Sequence, residues 1–171
     1  MKRHAFILIV ALLLAGARTA ASAEPAMTAE TVVAHRGFTL DDMKAQVSRN
    51  KDGAFLMEIP QILNTGSDKE IQGVLSGQSV ETTGQVMPET VDNADGNRLR
   101  IVRSLIQCCA AHARQYSVII EFAGKAPALK EMTWVKVIGT MSYKQEGGKT
   151  VPVVVVKEIK ETTQPDDPLI K

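Results

Sequence analysis

From Gln78 to about Thr163 the chain alternates apolar and polar residues with a period of two. Successive side chains of a strand point to opposite faces, so the pattern predicts strands with one buried face. In the first, Val80, Thr82, Gly84 and Val86 share one face, and Ser79, Glu81, Thr83 and Gln85 the other. Pro88 closes it, and the polar run from Asp92 to Asn97 makes the turn to the next strand. Leu99 to Gln107 alternates poorly: Leu99 and Ile101 share a face with Arg103, while Val102 and Ile106 share one with Arg100. A bulge near Arg103 would restore the phase. Tyr116, Val118, Ile120 and Phe122 line a third strand, and Ala123 to Glu131 is a connection long enough for a short helical turn. Trp134 to Tyr143 makes a fourth strand, whose internal Gly139 signals a kink or a close backbone approach. Glu146 to Lys149 is a hairpin turn, and Val151 to Ile159 is a fifth strand whose run Val153 to Val156 implies burial on both faces.

Upstream, the period changes. Thr39 and Asp42 have capping-box spacing, and Leu40, Met43 and Val47 fall on one helical face, predicting a helix over residues 40 to 50 that the run from Asn50 to Gly53 stops. Ala54 to Ile59 reads as a short strand ended by Pro60. Ser67 and Glu70 match a second capping box before an apolar stripe of Ile71, Val74 and Leu75, which Gly77 terminates.

Five strands of uneven length, with kinks in two of them, predict a mainly β fold: a small closed barrel of the oligonucleotide/oligosaccharide-binding (OB) type, with one or two short N-terminal helices. A two-sheet sandwich of the same strands is the competing arrangement. The expected organisation is a signal peptide at 1–23, a flexible lead-in at 24–38, a helical extension at 39–77, the barrel at 78–163 and a tail at 164–171.

The first residues bear on address. Lys2, Arg3 and His4, an apolar run from Ala5 to Leu14 and then Ala21-Ser22-Ala23 have the layout of a secretory signal, with cleavage expected after Ala23. The run falls short of the roughly 20 residues that span a bilayer. The expected product is soluble and exported to the periplasm or cell envelope. Removing residues 1–23 takes away Lys2, Arg3 and Arg18 and no acid, leaving 17 basic against 19 acidic side chains, a formal charge of −2. A nucleic-acid partner calls for a clustered positive field, because phosphate neutralisation supplies most of the affinity, so none is expected.

Both cysteines stand side by side between the second and third strands, three residues before a histidine. Cys108, Cys109 and His112 are two soft ligands and a borderline one, the set that zinc or copper favours. Three ligands leave a structural zinc site incomplete, and His35, Glu121 or a second copy are candidates for the fourth. Adjacent cysteines could also close a strained, oxidising disulfide, and His112 could lower a thiol pKa. Against these stands packing, with both cysteines as small buried hydrophobes and His112 capping the turn. Arg98, Arg100 and Arg103 could hold an anion, or serve as solvated charges that discourage edge pairing. Trp134, the one tryptophan, is expected in the core.

Glu81-Thr-Thr-Gly-Gln-Val86, Arg103-Ser-Leu-Ile-Gln-Cys-Cys-Ala-Ala-His-Ala113 and Thr133-Trp-Val-Lys-Val-Ile-Gly139 together resemble a bacterial family of unknown function. Its members are the C-terminal extracytoplasmic domains of subunits assigned to two-component membrane permease complexes. The resemblance covers about residues 55 to 163, and the paired cysteines followed by Ala-Ala are its most specific piece. It implies a barrel-like domain and a membrane permease, or another envelope protein, as partner. The family pattern has an aspartate where this chain has His112, and typical members begin with membrane helices where this chain has a signal. The expected function is thus a non-enzymatic, exported binding or assembly module, an accessory subunit of an envelope permease system. The alternative is a metal-binding or thiol-redox protein centred on Cys108, Cys109 and His112.

Overall fold

The computed structural model describes residues 36–106, 113–166 and 169–170. Helix α1 (Leu40–Gln46) starts at the expected capping box: the Thr39 amide donates to Asp42 Oδ2 at 2.9 Å and the Asp42 amide to Thr39 Oγ1 at 3.3 Å. It ends sooner than the apolar stripe suggested, because Val47 is already extended and the chain turns back. That turn is held by Asn50, whose Oδ1 accepts from the Asp52 and Ala54 amides at 2.9 Å, with Gly53 at φ +83. The returning segment is β1 (Phe55–Leu56).

Pro60 does not end a strand, as the sequence suggested. It lies in the first turn of helix α2 (Ile59–Asn64), where a missing N–H costs nothing, and the Glu58 amide donates to Gln61 Oε1 at 2.8 Å. A 3₁₀ turn (Thr65–Ser67) leads to α3 (Lys69–Leu75). The cap of α3 is Asp68, not Ser67: Asp68 Oδ1 accepts from Glu70 and Ile71 at 3.0 and 3.1 Å, while Ser67 Oγ bonds back to Asn64 O. There are therefore three short α-helices among the described residues rather than one or two.

Five longer strands follow: β2 (Ser79–Pro88), β3 (Arg98–Ile106), β4 (Ala113–Glu121), β5 (Trp134–Glu146) and β6 (Lys149–Glu161). β2 pairs antiparallel with both β3 and β5, β3 with β4 and β5 with β6, and β4 runs parallel beside β6. The ring β2-β3-β4-β6-β5-β2 is closed, and this circuit with its one parallel joint is a five-stranded OB-like barrel. Two-residue strands extend it: β1 lies parallel to β2, and β7 (Leu169–Ile170) parallel to β3.

The expected bulge near Arg103 is absent, since β3 and β4 keep one register from Arg98↔Glu121 to Ile106↔Ala113. The register shift lies between Ile138 and Gly139 of β5 instead. There the backbones come close, as Gly139 anticipated: a Cβ on it would lie 2.6 Å from Val154 Cγ1 and closer still to Val155 O. The β5–β6 hairpin turns on Gly147 and Gly148 at φ +55 and +75, a pair of left-handed residues suited to a two-residue turn.

The core is aliphatic. Val80, Val86, Ile101, Val118, Ile120, Val135, Val137, Met141 and Val154 of the barrel form one buried cluster with Met43, Phe55, Ile59, Ile62 and Leu75 from upstream. Each such side chain contributes roughly 1.5–3 kcal/mol by leaving water. The segment expected as a helical extension thus supplies part of the barrel's own core, and the expected tail supplies β7. No described helix is long and apolar enough to cross a membrane.

Candidate functional site

Where β2 and β3 separate, the sheet forks. Their last common pair is Gln85↔Val102; before it β2 takes β1 as neighbour, and beyond it β3 takes β7. Gly84 sits at the fork because nothing larger fits: a Cβ would lie 2.7 Å from Ile59 Cδ1 and 2.9 Å from Val102 O. Opposite, Arg103 is buried (5% exposed), with its guanidinium 5.4 Å from the Trp134 ring centre and Nη1 3.6 Å from Glu58 Oε2. A cavity of about 220 Å³ opens beside β1, lined by Leu56, Met57, Glu58, Glu81, Thr82 and Thr83. The Thr82 hydroxyl is buried there and, among the described residues, has no hydrogen-bond partner.

The other two arginines belong to ion clusters nearer the start of β3. Arg98 is 8% exposed; its Nε donates to Glu121 Oε2 at 2.8 Å and its Nη1 to Glu146 Oε1 at 2.9 Å. Lys144 Nζ reaches both oxygens of Glu121 at 2.7 and 2.6 Å, so the cluster ties β3, β4 and β5 together. Burial pushes the Glu121 carboxyl up, but hydrogen bonds from Lys144 and Arg98 and their charges outweigh it and hold it below its ordinary value. Arg100 donates from Nε to Glu89 Oε2 at 2.8 Å, from Nη2 to the same oxygen, and from Nη1 to Ser117 Oγ at 2.9 Å.

Glu89 is the anchor of the β2–β3 loop. Its side chain is 2% exposed, and Oε1 accepts from the Thr90 and Val91 amides at 2.8 Å. Burial raises its carboxyl, the Val91 amide and Arg100 lower it further, and the result lies below the ordinary value. Asn93 completes the loop, accepting from the Arg98 amide and donating to the carbonyls of Glu89 and Arg98.

Arg98 and Arg103 are thus not solvated edge charges, while Arg100 is half-exposed. Arg98 and Arg103 are buried, and each of the three faces a carboxylate of the chain itself. Reading β3 alone missed Glu58, Glu89 and Glu146; only Glu121, directly opposite Arg98, was in view, and it serves as an ion-pair partner. Trp134 is half-buried beneath Arg103 at the start of β5. The remaining described aromatics, Phe38, Phe55, Tyr116, Phe122 and Tyr143, pack in or against the core, and Tyr143 also donates to Thr65 Oγ1 at 3.0 Å. Cys108, Cys109, His112 and His35 lie outside the described residues. Among the described residues, no group of three His, Cys, Asp or Glu side chains is placed to hold a metal ion.

The family model described as the DUF1980 C-terminal domain matches residues 55–170, from β1 to β7. No curated protein matches the sequence. Among solved structures, the telomere capping protein Ten1 from Saccharomyces pombe is similar at 20% identity and a TM-score of 0.39, covering 67% of this chain and 87% of that one. A small single-stranded DNA-binding protein from Streptomyces coelicolor is similar at 12% identity and a TM-score of 0.36, with 52% and 95% covered. A DUF3299 family protein from Pseudomonas aeruginosa has the same identity and TM-score, with 53% and 65% covered.

Proposed function

The chain belongs to the DUF1980 C-terminal domain family, and on that premise we propose that it is an exported, non-enzymatic binding or assembly module, an accessory subunit of an envelope permease system. The observation that carries this reading is the internal commitment of the three arginines of β3 and of the described aromatic side chains. Arg98 and Arg100 face Glu121, Glu146 and Glu89, Arg103 lies over Trp134, and the other described aromatics pack in or against the core. OB-type barrels that bind single strands use stacking aromatics and a basic groove. Here those groups build the barrel instead, which favours a protein partner recognised by shape. Export rests on the signal-like N-terminus, and the permease on the resemblance of the motifs around Glu81–Val86, Arg103–Ala113 and Thr133–Gly139.

The test is to cross-link the tagged full chain in its own cells, purify it from the envelope and identify what travels with it. The reading expects a mature N-terminus at Glu24 and a multispanning membrane protein in the cross-linked product. A chain recovered alone, or with Met1 intact in the cytoplasm, overturns it. A native mass spectrum of the same sample before and after chelation tests the alternative: loss of a zinc or copper mass, abolished by Cys108→Ala, would move the functional centre to Cys108, Cys109 and His112.

A further inference from the structure

β3 is paired along its whole length to β4, but on its other edge it has β2 only as far as Val102. Past that point the chain's own C-terminal strand takes over, with Leu169 parallel to Ser104 and Ile170 to Leu105. We infer that this edge of β3 is a strand-acceptor slot, filled in the monomer by the chain's own Leu169–Ile170 and filled in a dimer by the same segment of a second copy.

One general property of strand edges and three observations support exchange. Unpaired backbone N–H and C=O groups at a strand edge recruit other strands, so a segment that ends an edge is also what a free edge would capture. The occupying strand is only two residues long, which places its release at the low end of the openings a fold undergoes. The chain leading to it from β6 is exposed at Thr162, Thr163, Gln164 and Asp166, and Pro165 within it favours extended backbone at Gln164. The family match also runs to residue 170, so this strand belongs to the domain. A second copy carries the same segment, and exchange reproduces every backbone pair of the closed form. A short tether keeps the chain's own strand at a millimolar effective concentration, so exchange should rise with protein concentration.

The probe is a fluorescent peptide of residues 162–171, titrated against the full chain and against the full chain carrying Leu169→Pro and Ile170→Pro. Prolines at both positions remove the N–H groups of the two-residue strand itself. The double variant should bind the peptide at least tenfold more tightly than the wild type does, because its own tail no longer competes. Light scattering of the unmodified chain should show a dimer that grows with concentration and is missing from the double variant. A folded double variant, checked by its melting curve, that binds the peptide no better than the wild type overturns the slot. A wild type that stays monomeric at millimolar concentration overturns the exchange, and needs no variant to fold.

Discussion

β5 and β6 stay paired from Val135↔Glu161 to Glu146↔Lys149 with a single register shift, whereas β2 and β3 share only Gln85–Pro88 against Leu99–Val102. Both joints close the same ring, but they do so by different means. Along the long joint the backbone ladder does the holding. At the short one side chains substitute for missing rungs: Ile59 of α2 against Gly84, Arg103 over Trp134, and the Arg100–Glu89 pair. A β-barrel need not be hydrogen-bonded evenly to be closed, and the cavity beside Thr82 opens next to β1, on the part of β2 that is not paired to β3.

The largest effect is expected where the short joint's strand is tied to the rest of the barrel by charge. Arg98→Met should cost about 3–5 kcal/mol in a urea titration, because Glu121 and Glu146 lose a buried partner. A loss below about 1 kcal/mol would mean that the cluster is solvated and that β3 is held by its ladder alone.

Next come the two glycines, one at each joint. Gly139→Ala would drive a methyl group into Val155 O and Val154, and should cost about 3 kcal/mol. Gly84→Ala would meet Ile59 Cδ1 at 2.7 Å and Val102 O at 2.9 Å, a less severe approach than at Gly139, so about 2 kcal/mol is expected. Equal losses would erase the distinction between a tight joint and a loose one.

The alternation of β2 and β5 was legible because each buries one face, and Val80, Thr82 and Val86 state this without help from the rest of the chain, whereas β4 and β6 each bury three consecutive residues. Helix α2 was not, since Pro60 reads as a stop until the Glu58–Gln61 reciprocal bond identifies it as a start. β1 and β7 are two residues long and cannot carry a period. The misplaced bulge has a similar cause: Arg103 breaks the apolar phase of β3, but its burial depends on Trp134 and Glu58, far away in sequence. The acids that neutralise Arg98 and Arg100 come from the end of β5, the end of β4 and the β2–β3 loop, a grouping that only closure of the ring creates. The sequence expectations for Cys108, Cys109 and His112 fall outside the described residues and stand as stated.

Acid should act on the short joint through Glu89 and on the cluster through Glu121. Both carboxyls lie below their ordinary value when folded. The stability they confer is complete above the unfolded value of about 4.3 and is lost as pH falls through the folded values. The melting temperature should be flat near neutrality and fall steeply in acid, and Glu89→Gln should be less stable at pH 7 with a shallower acid limb. An unchanged acid limb in Glu89→Gln would remove that carboxyl from the account. The smallest effect belongs to the N-terminal cap far from either joint: Thr39→Ala should cost about 1 kcal/mol in the same titration, and any larger loss would tie α1 into the barrel more firmly than its single buried Met43 suggests.

Native-state hydrogen exchange compares the two joints in one experiment on the unmodified chain. Amides paired between β5 and β6, from Val135 to Met141, should exchange only through global unfolding. Those of Gln85–Met87 and Arg100–Val102 that bridge β2 and β3 should exchange through a smaller opening, at least tenfold faster, with the rest of the barrel intact. Equal protection at the two joints would contradict the account.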